Sequence, residues 1–208
     1  MSAPVRVHEG LCLDSLQKQF FWEDDFLGDS IADEWFTWGT GGRGSTVVVD
    51  GQTGGIVRLT TGTTIADIRG LDWSTPFRIL LTSKNVALEV RAKLNTVVSG
   101  SDAYRFGLMY DWANYLDFFL NAGVWYAQQY LAGAQTLQAT TLTYDTNWHI
   151  FRIETSATAI KYYGDDVLLQ TLTTNIPTNY LYLWMLAYTG VAVAKSVDVD
   201  YVAVRQDR

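Results

Sequence analysis

One cysteine in 208 residues, Cys12, leaves no partner for an internal disulfide, and two histidines, His8 and His149, are too few for the usual zinc constellations. Positive charge is scarce as well. Fifteen Lys and Arg against 22 Asp and Glu give a formal net charge of −7, and no basic run occurs, which removes nucleic acid from the expected partners because phosphate binding depends on clustered Lys and Arg. No apolar stretch approaches the roughly 18 residues of a spanning helix. Met1-Ser2-Ala3-Pro4 opens neither the basic nor the apolar part of a secretory leader. The chain is therefore expected to be complete, soluble and unexported, with no membrane partner.

What is present is strand-forming. The three prolines are widely spaced, hydrophobic residues make up 48% and charged residues 18%, and Val, Thr, Tyr and Trp are abundant. The clearest element is 86–94, where Val86, Leu88, Val90, Ala92 and Leu94 alternate with Ala87, Glu89, Arg91 and Lys93. Similar runs predict strands over 46–49, 56–60, 77–81, 104–110, 115–120, 124–130, 136–142, 150–155, 159–163, 168–173, 181–188 and 197–204. About a dozen strands call for two stacked sheets, since strongly twisted open sheets rarely exceed about ten. Turn residues separate them at Asp50-Gly51, Gly54-Gly55, Asp111-Trp112-Ala113-Asn114, Asn121-Ala122-Gly123 and Gly164-Asp165-Asp166. Residues 1–21 read differently. Leu11, Leu13, Leu16, Phe20 and Phe21 lack strand spacing, and Pro4 and Gly10 interrupt them. The expected organisation is an N-terminal arm over 1–21, with one short helix near Asp14 to Phe20, followed by a single sandwich over 22–208.

Four stretches together resemble the concanavalin A-like lectin and glucanase superfamily, which includes laminarin G-like domains and laminarinase-type hydrolases. They are Asp24-Asp25-Phe26 followed by Trp35; Gly55-Ile56-Val57-Arg58-Leu59; Trp148-His149-Ile150-Phe151-Arg152-Ile153-Glu154 running through Tyr162-Tyr163-Gly164-Asp165-Asp166 to Asn175-Ile176-Pro177; and Val199-Asp200-Tyr201-Val202-Ala203-Val204. The resemblance implies an all-β, two-sheet antiparallel jelly roll. It also implies a structural calcium as the one expected cofactor, with Asp200 at the position that helps hold it. Such domains recur in bacteriophage virion proteins, where a leaderless chain free of disulfides and carrying an arm would fit.

The resembled hydrolases place their acid and nucleophile on one strand as Glu-x-Asp-x-x-Glu or Glu-x-Asp-x-Glu, so that alternation aims both carboxylates into one cleft. The nearest counterparts here are Glu89-Val90-Arg91, where a base replaces an acid, and Asp198 with Asp200 on the closing strand. No catalytic residue is expected on that ground. Gly39-Thr40-Gly41-Gly42-Arg43-Gly44 matches a dinucleotide fingerprint only in form, because no βαβ unit surrounds it. Neither Ser156 nor Ser196 sits in a nucleophile elbow that would pair it with His149, and Cys12 reads as a free thiol without a catalytic task.

These readings favour a non-enzymatic module. The expected role is a virion component, a capsid decoration or tail protein made in the host cytoplasm and displayed on the virion surface. It would assemble with itself, as a trimer in the usual form, and with other virion proteins through Leu11, Leu13, Leu16, Phe20 and Phe21. The alternative is a lectin-like, extracellular-facing module for a surface polysaccharide. Its glycan face, assigned by alternation, is Arg91, Arg105, Tyr115, Asp117 and Trp125, because aromatics stack on sugar rings while polar neighbours bond hydroxyls. A glycoside hydrolase ranks third.

Overall fold

A computed structural model describes residues 19–208 except 29, 41–43, 50–54, 74–78 and 97–100. Among the described residues, alternating sequence becomes fifteen strands: β1 (Gln19–Asp24), β2 (Trp35–Gly39), β3 (Ser45–Val48), β4 (Val57–Thr60), β5 (Asp67–Trp73), β6 (Ala87–Leu94), β7 (Ala103–Asp111), β8 (Asn114–Asn121), β9 (Val124–Leu131), β10 (Ala134–Ala139), β11 (His149–Thr155), β12 (Ile160–Gly164), β13 (Val167–Leu172), β14 (Tyr182–Thr189) and β15 (Ser196–Asp207). Sheet A runs β13-β12-β11-β6-β15-β4-β3, with β1 added along the second half of β15; sheet B runs β10-β9-β8-β7-β14-β5-β2. All pairings between these strands are antiparallel. The expected all-β sandwich of two antiparallel sheets is what forms.

Tight hairpins set the register. Ala122-Gly123, Ala132-Gly133 and Asp165-Asp166 all have positive φ, the backbone that two-residue turns need to match the twist of their strands. Between the sheets, Phe151 of sheet A meets Phe106, Phe118 and Trp125 of sheet B at ring-centroid distances of 4.9, 5.3 and 4.6 Å. Such pairs add about 0.5–1.5 kcal/mol each beyond their burial. A second aromatic cluster closes the β1 side, where Trp22 packs edge-on against Trp73 and Trp35 at 4.8 and 5.5 Å. There the Asp24 carboxylate accepts hydrogen bonds from the Trp35 indole at 2.5 Å and from the Phe26 amide at 2.8 Å, so the Asp-Asp-Phe and Trp of the opening motif are physically joined.

The arm needs revision. Leu11, Leu13, Leu16 and Cys12 lie outside the described residues, but Phe20 and Phe21 belong to β1, paired residue by residue with Gln206 and Arg205. Phe20 packs on the core against Trp73 and Phe21 remains exposed. Residues 19–21, expected in the arm, therefore belong to the described sandwich. Two further strands, β2 and β5, were not expected.

Candidate functional site

Alternation along the middle of sheet B determines which side chains leave the core. On β7, Tyr104, Phe106 and Leu108 face inward, and on β8 so do Leu116, Phe118 and Leu120. Arg105, Gly107 and Met109, and Tyr115, Asp117 and Phe119, consequently project from the opposite face. The register extends this face across the whole sheet. One row runs Phe36, Asp72, Trp184, Gly107, Asp117, Gln128, Leu137. The next runs Trp38, Gly70, Leu186, Arg105, Phe119, Tyr126, Ala139, and on the other side lie Tyr182, Met109, Tyr115 and Tyr130.

Arg105 and Asp117 form the polar centre. The guanidinium donates from Nη1 to Asp117 Oδ2 at 3.1 Å, and its carbon lies 4.2 Å from the centre of the Phe119 ring and 5.5 Å from that of Tyr115. Asp117 is wholly buried, and its Oδ1 has no hydrogen-bond partner among the described residues. Burial pushes its carboxyl up to about 6, against the opposing pull of Arg105. Gly107 makes this approach possible: a Cβ there would stand 2.1 Å from the Leu116 carbonyl oxygen and 2.6 Å from the Asp117 Cβ.

Around this centre the face is aromatic. Tyr115 and Tyr130 stack at 4.7 Å, and Phe119 and Tyr126 lie 6.2 Å apart. Trp38 covers Gly70, where a Cβ would meet its ring at 2.3 Å. Trp112, from the turn between β7 and β8, folds back edge-on over Trp184 at 5.5 Å and Trp38 at 6.4 Å, yet stays 57% exposed. Its turn is pinned: Asp111 Oδ1 accepts from the Ala113 amide and the Asn114 side chain, Asn114 Oδ1 accepts from the Ala132 amide, and the Gly133 amide donates to the Ala113 carbonyl. An exposed indole on a fixed backbone is a preorganised stacking surface.

Of the five residues expected on a glycan face, Arg105, Tyr115 and Asp117 are brought together. Trp125 is corrected to the core, because the inward face of β9 carries it against Phe106 and Phe151. Arg91 is corrected to sheet A, where its guanidinium lies over Trp148 and pairs with Asp200. Asp198, also on β15, is bonded by Arg58 at 2.6 and 2.8 Å and by Asn95 at 2.6 Å. Neither carboxylate reaches the sheet B face. Among the described residues no group of three or more His, Cys, Asp and Glu gathers as a metal cluster. The sequence reading missed Trp38, Trp112, Trp184, Gly107 and Gln128. Alternation on 181–188 contained the signal for Trp184, but the others needed the register and the fold of a turn.

His149 belongs to a separate latch. Its Nδ1 lies 2.7 Å from Asp165 Oδ2 and its Nε2 3.0 Å from Asp145 Oδ1, so the ring ties the segment before β11 to the β12–β13 turn. Partial burial disfavours the charged imidazole, but the hydrogen bonds to Asp165 and Asp145 outweigh it and raise the pKa above 6.5. A raised histidine contributes stability that is fully present below pH 6.5 and is lost as the pH rises through the folded value. Amide exchange across 140–148 should accelerate through that window in the native chain and become pH-independent in His149→Gln, after correction for intrinsic exchange. An unchanged profile in the variant would refute the latch.

No family model matches the chain, and no curated protein matches it. Solved structures do. A protein of unknown function from Shewanella oneidensis MR-1 is similar over 97% of both chains at 14% identity and a TM-score of 0.68. An apo Crh5 transglycosylase is similar over 89% of this chain and 84% of its own at 16% identity and 0.67. A beta-1,3-glucanase from Mycobacterium marinum is similar over 88% and 97% at 12% identity and 0.63. These corrections bear on the expected function. Enzymes that cut or transfer glycans share this architecture, which overturns the expectation of a non-enzymatic module and points to a glycoside hydrolase-like fold. At this level of identity the likeness is one of fold, that of the concanavalin A-like jelly rolls.

Proposed function

We propose that the chain engages a carbohydrate on the outer face of sheet B, with Arg105 and Asp117 at its polar centre and Trp112, Trp38 and Tyr130 as stacking surfaces. The observation that carries this is the enclosure of one buried ion pair, with a free carboxylate oxygen, by aromatic rings from β2, β8, β9 and the β7–β8 turn. Aromatic faces match the apolar faces of sugar rings, and a few fixed polar groups set orientation. The transglycosylase and glucanase neighbours support a carbohydrate-related role. A virion role remains the second reading, with Phe21 exposed on β1 as its one described feature, and nothing on the sandwich favours it over the first.

The test is a glycan array probed with the intact chain, followed by calorimetry and a reducing-end assay on each hit. Trp112→Ala should weaken binding by about tenfold or more, as loss of an aromatic anchor does, while the melting temperature stays within about 2 °C because the side chain is largely exposed. Unchanged affinity in this variant would move the site off the face.

A further inference from the structure

The charges of the sheet B face narrow the kind of sugar it would take. Apart from tyrosines, the ionisable side chains in its strand rows are Arg105, Asp117 and Asp72; among the described strand residues of that face there is no lysine. Arg105 is already paired with Asp117 and lies over the Phe119 and Tyr115 rings. A carboxylate or sulfate group brought to this face would meet one guanidinium whose charge Asp117 already offsets, and no second cation among the described strand residues of the face.

The buried polar atoms that lack a partner point the same way. Asp117 Oδ1 and Gln128 Oε1 are acceptors, whereas Trp38 Nε1 and Trp184 Nε1 are donors. Asp117, Gln128 and Trp184 are 0, 2 and 0% exposed. An anionic group, which only accepts, would serve the indoles and leave the two oxygens unsatisfied; an ammonium would do the reverse. A hydroxyl donates and accepts, so a polyhydroxylated chain serves all four. Trp184 and Gln128 lie three strand steps apart on one row, about 14 Å at the usual strand spacing, which is longer than a single sugar ring. Arg105 and Trp112, the more exposed partners of Asp117 and Trp184, are the side chains such a ligand meets first.

We infer that the ligand of this face is an uncharged, hydroxyl-bearing oligosaccharide, and that Asp117 is a specificity determinant that excludes carboxylated and sulfated chains. This rests on the carbohydrate reading above.

The probes are an array holding neutral, uronate-bearing, sialylated and sulfated oligosaccharides, and then a neutral tetrasaccharide hit against the same chain oxidised at C6 to uronates. Hits should be confined to the neutral class, and near pH 7.5 the oxidised chain should bind roughly tenfold or more weakly, a gap that shrinks with added salt because it is electrostatic. Asp117→Asn should narrow the ratio of neutral to oxidised affinity, whatever the change in affinity for the neutral chain itself. Should that variant not fold, the salt titration on the native protein decides. Acidic chains that bind as tightly as neutral ones, or a gap indifferent to salt, would overturn the inference while leaving the carbohydrate reading standing. Binding of neither class would remove the carbohydrate reading, and the inference with it.

Discussion

Arg105→Met should be among the most damaging single changes on the sheet B face, lowering stability at neutral pH by about 3–5 kcal/mol, because it strands a fully buried carboxylate without its counter-ion. The loss should depend on pH. Burial already raises the Asp117 carboxyl to about 6 from 3.8, so the native state holds the proton more tightly than the unfolded chain between those values. Stability from this group is accordingly complete below pH 3.8 and falls as the pH rises through about 6, by on the order of 3 kcal/mol in total. In Arg105→Met the carboxyl should climb further, and lowering the pH to near 5 should restore much of what was lost. The double variant Arg105→Met, Asp117→Leu should recover most of the stability even at neutral pH, since a buried pair replaced by apolar groups is often neutral. Urea midpoints measured across pH decide this. A single variant as stable as the parent at neutral pH would mean that Asp117 does not depend on Arg105.

Gly107→Ala should cost about 3 kcal/mol, more than a methyl group usually does in a strand. The added Cβ would lie 2.1 Å from the Leu116 carbonyl oxygen and 2.7 Å from the Asp117 Cα. Both are backbone atoms of the neighbouring strand, so relief requires β7 and β8 to separate and not merely a rotamer change. Chemical denaturation gives the value, and a result within about 0.5 kcal/mol of the parent would place the variant among ordinary surface changes and end the argument for close packing there.

Much of the fold was legible because alternation is a local signal. On 86–94, 104–110 and 115–120 the period of two suffices to place Leu88, Phe106 and Phe118 inward and Arg105 and Asp117 outward. The same rule misplaced Trp125, because which of two phases faces the core depends on the register with β8, a long-range quantity. It could not separate Arg91 from Arg105, since alternation says that a residue leaves the core but not from which sheet. β1, β2 and β5 escaped notice for a different reason. Gln19–Asp24 puts a glutamine and two acids among three aromatics, and Asp67–Trp73 carries a glycine and two aspartates. Their burial comes from neighbouring strands and not from a visible period. Trp112 was legible as a turn residue but not as part of the site, because only the fold of the turn brings its indole back over Trp184.

The longest strand bears on how the protein comes into being. β15 pairs with β4 through residues 196–199 and with β1 through residues 202–207, while its other edge holds β6, and Asp200 interrupts the register between the two halves. It comes after all the other described strands, and three of them depend on it; the Gln19 and Asp207 side chains that meet at its end are 188 positions apart. During synthesis sheet A cannot close until β15 has emerged, and until then β1, β4 and β6 present unpaired edges of the sort that recruit other chains. Closure over such a separation is intrinsically slow. The vulnerable period for this molecule is therefore the interval during synthesis when its hydrophobic strands are made and their common partner is not.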